Sequence, residues 1–149
     1  MTTQAQPSNG MTALTRSIGF GIIGGLMGGL VFGIMMGMMG MLPMVGMLIG
    51  QQNAVIGLGV HLVISAFIGA VYGLVVTQLR LPISAATAWV GGAINGIVWW
   101  VLGALILMPA MLGMTNMIFV VGQTQWLSLM GHLIYGIVAA FVFNGLARR

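Results

Sequence analysis

The chain has 149 residues, 60% of them hydrophobic and 3% charged, with no aspartate, glutamate or cysteine, so it cannot furnish a water-facing surface and belongs in a bilayer. Its net charge of +4 rests on Arg16, Arg80, Arg148 and Arg149 alone, too scattered to form a nucleic-acid patch. Without an acid or a thiol there is no Ser-His-Asp set, carboxylate pair, zinc cluster or carboxylate relay, so the chain is read as a non-enzyme.

Residues 1–17 form a polar tail with no cleavage site, expected to stay in the cytoplasm. Four apolar spans follow, at 18–41, 54–77, 84–107 and 126–147, each long enough for a ~30 Å hydrocarbon core at about 1.5 Å per residue. The expected fold is therefore an all-α integral membrane protein of four transmembrane helices. Pro43, Pro82 and Pro109 punctuate the spans. Arg16, Arg80 and the Arg148/Arg149 pair all fall on one side of such a bundle, which predicts both termini inside and the Pro43 and Pro109 loops outside. The expected location is the inner membrane of a bacterium, crossed several times. Trp126 starts span 4 near the outer surface, while Trp99 and Trp100 lie within span 3, facing lipid or a partner.

The two halves resemble each other. Setting Pro43 on Pro109 places Gly25 on Gly91 and Gly37 on Gly103, and a short insertion later His61 falls on His132. This predicts two tandem helical hairpins, 18–80 and 81–149, related by a pseudo-twofold axis along the membrane normal.

Span 1 carries Gly21, Gly25, Gly29, Gly33 and Gly37 at four-residue spacing. Span 2 continues the pattern with Ser65, Gly69 and Gly73, and span 4 with Gly136 and Ala140. Small residues at this spacing let helices approach closely in lipid, where burial of apolar surface gives little drive to associate. They are read as helix-packing positions, with the span 1 ridge also able to dock on another subunit.

His61 and His132 lie at matching depth, each about 10 Å in from the outer surface by helical rise. The first expectation is that no cofactor is bound and each imidazole hydrogen-bonds a facing carbonyl or hydroxyl. The alternative is haem b or a (bacterio)chlorophyll held by His61 and His132. GLGVH at 57–61 and SLMGH at 128–132 resemble the way light-harvesting polypeptides present a histidine, a resemblance that implies ligation of a bacteriochlorophyll magnesium.

Seven of the fifteen methionines crowd into GIMMGMMGMLPMVGM, residues 33–47. Met35 and Met39 with neighbouring GxxxG resemble elements of eukaryotic-type copper channels, which differ in helix count and motif order. On a helical wheel Gly37 and Gly40 lie within about 40° of Gly33, while Met35, Met38 and Met39 take the arc between about 140° and 240°. The methionines thus coat the back of the glycine ridge as packing material. Met44, Met47, Met111 and Met114, in the outer loops, are the candidates for soft Cu(I) ligation.

The function expected from these features is that of a non-catalytic accessory subunit, packed by glycine-rich faces among other membrane subunits of a bacterial respiratory or photosynthetic electron-transfer assembly. The alternatives are a haem- or chlorophyll-binding protein, and a small-solute channel or Cu(I)-handling protein. The partners expected are lipid and other membrane proteins, not nucleic acid.

Overall fold

The structure, a computed structural model, describes residues 9–149; the first eight residues of the expected tail lie outside it. Six α-helices, one π-helical segment and two short 3-10 turns make up the described chain, with no strand among the described residues. Four segments, Gly10–Met38, Ala54–Gln78, Ala85–Met111 and Gln123–Ala147, are long and apolar enough to cross a membrane, which makes this a multi-pass membrane protein.

The first helix, α1 (Asn9–Met38), starts well before residue 18 and carries the polar end of the tail as helix. Thr15 supports that extension by returning its hydroxyl to the Met11 carbonyl at 3.0 Å. Gly40, at φ +67°, stops the helix: its N–H bonds the Gly37 carbonyl while the Met41 N–H reaches back to Met36. This left-handed closure favours glycine, and it frees the chain to restart at Pro43 as the short α2 (Leu42–Gly46). Asn53 then caps α3 (Ala54–Gln78), its Oδ1 accepting from the N–H groups of Val55 and Ile56 at 2.8 and 3.1 Å. Ser84 does the same for α4 (Ala85–Trp99), accepting from the Thr87 N–H.

The third span solves its proline differently. Pro109 has no N–H for the Leu105 carbonyl four residues back, and its ring would crowd that carbonyl. Position 106, three residues before Pro109, is isoleucine, whereas glycine stands at position 40, three before Pro43. The chain therefore stays helical and widens into a π-helical segment over Trp100–Leu107, with the Met108 N–H bonding the Gly103 carbonyl. The stranded Leu105 carbonyl accepts instead from the Phe119 N–H at 3.1 Å, and α5 (Met108–Met111) completes the span. The last helix, α6 (Gln123–Ala147), returns to the arginine end.

The helices pack in the order α3, α1, α6, α4. Glycine sets that order by letting backbones touch. On α1, Gly21 and Gly25 lie against Gly69 and Ser65 of α3, and Gly29 lies on the Ser65 side chain. Gly33 meets Leu58 and His61, and Gly73 meets Ser17. One step round the same helix, Gly24 and Gly28 lie against Ala139 and Tyr135 of α6. Between α4 and α6, a Cβ on Gly92 would sit 2.6 Å from the Gly136 carbonyl oxygen, and Ala88 and Ala140 are fully buried together. Gly37 alone of the α1 ridge is exposed, with only the Leu42 side chain near it.

The α1 ridge therefore lies inside the chain between α3 and α6. Matching the halves on their prolines puts Gly91 in the place of Gly25, but the glycine that lies on α6 is Gly92. Gly91 faces the Tyr72 hydroxyl of α3.

Candidate functional site

α3 and the third span do not close on each other. Between them, in the half of the bundle that carries Pro43 and Pro109, lies a cavity of about 430 Å³. α3 forms one wall with Val60, Ile64 and Phe67, and the third span forms the other with Trp99, Gly103 and Leu107. Phe32 of α1 and His132 and Tyr135 of α6 make the floor, and Val45 and Leu48 roof it. Ile49, Phe67, Leu107 and Met111 line the cavity and are largely exposed, so its mouth opens sideways, where lipid would lie. The rings of Phe67 and Trp99 meet edge to face across the gap at 5.9 Å.

Both histidines line this cavity, and the fold orients each one. His61, on the α3 row that faces α1, donates its Nε2–H to the Gly29 carbonyl at 3.0 Å. Only an N–H can face a carbonyl oxygen, so Nδ1 is the unprotonated nitrogen of the neutral ring. The Cδ2–Nε2 edge lies against Gly33, which turns the Nδ1 edge away from α1. His132 uses its other nitrogen: Nδ1–H donates to the Ser128 carbonyl one turn back at 2.8 Å, with the Ser128 hydroxyl at 3.3 Å. Its bare nitrogen is Nε2, at the far end of the ring. Neither bare nitrogen has a hydrogen-bond partner among the described residues.

The Phe32 ring stands edge-on to both imidazoles, with centroids 5.3 Å from His61 and 4.9 Å from His132. Gly131 makes room for it, because any side chain there would collide with the Phe32 ring. The residues do not fit a macrocycle ligated from both sides: Phe32 packs on both rings, and His61 has given Nε2 to Gly29. Tyr135 completes the floor by donating its hydroxyl to the Ser65 carbonyl at 2.7 Å, tying α6 to α3 across α1.

Of the four Cu(I) candidates in the outer loops, only Met111 reaches the cavity; Met44, Met47 and Met114 are exposed and outside its lining. The methionines that do line it are Met36, Met41 and Met108, together with Met111. The signal that would have found them is helix pairing, not spacing within a loop. Trp99 and Trp100 are likewise not simple lipid anchors. Trp99 is a cavity wall, and Trp100 is buried, stacks on Trp126 at 6.2 Å and donates its indole N–H to the Gln125 carbonyl. Those contacts hold the start of the π-helical segment against the start of α6. The remaining helix-packing candidates, Ser65, Gly69, Gly73, Gly136 and Ala140, are all buried between helices.

No family model matches the chain, nor does any curated protein or solved structure.

Proposed function

We propose that this is a non-catalytic membrane protein that holds a small lipophilic molecule, taken laterally from the bilayer, in the cleft between α3 and the third span. The observation that carries the reading is the cavity itself, apolar on its walls, open sideways and furnished with two oriented imidazoles. Its volume falls within the few-hundred-Å³ range of small-molecule sites, and a few polar groups in an otherwise apolar pocket is the usual composition of such sites. In the absence of carboxylates, thiols and activated hydroxyls, binding is the chemistry these residues support.

Gly103 makes the test clean. It lines the cavity, and nothing lies within 4 Å of where its Cβ would be, so Gly103→Phe fills the cleft without striking backbone. The protein, purified in mild detergent, is extracted with organic solvent and the extract quantified by mass spectrometry. The wild type should carry a lipophile near one per chain, and Gly103→Phe should lose most of it. Equal recovery of every lipophile from both proteins would overturn the reading.

A second reading, an accessory subunit of a larger membrane assembly, draws on the outward faces instead. Val55, Val63, Trp89 and Val90 are among the most exposed residues, and the Trp89 ring packs edge-on to the half-exposed Phe141 at 5.5 Å as a rigid aromatic pair. Gentle-detergent native mass spectrometry separates the readings: a subunit should travel with stoichiometric partners, a solitary holder as the chain alone or as copies of itself.

A further inference from the structure

We propose that the occupant of the cleft is a neutral, planar phenol of the hydroquinone class, held by O–H donation to the bare ring nitrogens of His132 and His61. This rests on the reading of the cleft as a lipophile site and names the chemistry of its ligand.

The polarity of the site dictates the class. Both imidazoles point their N–H at backbone carbonyls, Gly29 for His61 and Ser128 for His132, so what each offers the cavity is a lone pair. Ser65 and Ser128 also belong to the cavity lining. An imidazole that turned would give up its bond to the carbonyl. A ligand that brings only acceptors, such as a quinone, would leave two desolvated lone pairs unmatched, and a site built around a hydroxyl rejects the analogue that lacks it. A bare dication would match the lone pairs but would sit in a cavity with no anion to balance it, because the chain has no acid. A neutral hydroxyl donor meets both constraints.

The walls add the shape. Phe32, Phe67 and Trp99 present aromatic surfaces, and Met36, Met41 and Met108 present polarizable thioethers that pack well on rings. A flat aromatic body fits such walls better than a branched or globular one.

The test uses the full chain in phosphatidylcholine nanodiscs under argon, with empty nanodiscs subtracted. Three probes of one shape are titrated calorimetrically: tetramethylhydroquinone, its oxidised quinone, and its dimethyl ether. The hydroquinone should bind at least about tenfold tighter than the other two, a difference of about 1.4 kcal/mol. His132→Leu should erase most of that preference. Its Nδ1 bond lies within its own helix, so the fold does not hang on this residue. His61→Leu, which also loses the staple to Gly29, is the second variant and should reduce the preference further. Equal affinity for the three probes, a preference for the quinone, no binding at all, or a preference untouched by His132→Leu would each overturn the proposal. Equal affinity would overturn it while leaving the lipophile reading standing; that reading falls separately, on the Gly103→Phe extraction.

Discussion

Two seams of this bundle are built from similar rows and end differently. Along the α1–α6 seam, Gly24, Gly28 and Phe32 face Ala139, Tyr135 and Gly131. Glycine meets small residue or backbone at each step, the Phe32 ring nests on Gly131, and the helices touch. Along the seam between α3 and the third span, Gly91, Asn95 and Trp99 share one face at four-residue spacing. Gly91 meets Tyr72 and Trp99 meets Phe67. Opposite them α3 offers Ile68, Ile64 and Val60, bulky at every step, all three in the cavity lining. Trp99 has no glycine to nest on, and the seam stays open. Two buried polar atoms without partners, the Tyr72 hydroxyl and the Asn95 amide nitrogen, lie along this seam. Where Trp99 meets α3 both sides are large and the helices stand apart, and Gly103, one turn on, adds empty volume to the cleft instead of closing it.

The largest break in the comparison should come from the closed seam. In Gly24→Leu the new Cβ would sit 2.5 Å from the Ala139 carbonyl oxygen, so a helix must move. The expected cost is at least about 3 kcal/mol, read as loss of monodisperse, thermally cooperative protein. Gly103→Leu, facing the open seam, should melt within a few degrees of wild type. If both variants behaved alike, the two seams would not differ as described. Tyr135→Phe comes next: it strips the Ser65 carbonyl of a buried donor and should lower stability by about 1–2 kcal/mol, seen as a lower melting temperature.

Asn95→Ala probes the open seam from the other direction. Removing an unpartnered buried amide should raise stability by about 1 kcal/mol, and a loss of stability would show that the amide has a partner. Phe119→Gly is the smallest effect expected. Phe119 holds φ +59°, a left-handed conformation that costs a side-chain-bearing residue about 1 kcal/mol, while its N–H still serves the Leu105 carbonyl. Glycine keeps the bond and removes the strain, so the melt should shift upward slightly.

The four spans were legible because composition alone decides them, and their ends were read to within a few residues wherever an Asn53 or Ser84 cap marks the start. Span 1 was placed too short because polarity ended the reading at residue 18, while the helix itself continues back to Asn9. Helical rise puts the two histidines at one level, where both pack on Phe32, but it does not give their opposite tautomers. Those depend on which carbonyl each ring meets, and Gly29 reaches His61 only because α1 packs on α3. The choice between Gly91 and Gly92 turns on one residue of helix rotation that a matched proline cannot resolve. The π-helical segment had a readable cue, the isoleucine at position 106, three before Pro109, where Gly40 stands three before Pro43. The cavity had none, since it arises from what two distant helices fail to do.

The central claim is that the seam between α3 and the third span is an occupied cleft. The most direct test is an electron cryo-microscopy map of the protein in nanodiscs, resolved well enough to place side chains. The account predicts flat, non-protein density between Phe67, Trp99 and Phe32, within hydrogen-bond reach of His132 Nε2. Side chains of α3 and the third span interlocked across the seam, with no room between Val60 and Trp99, would contradict it.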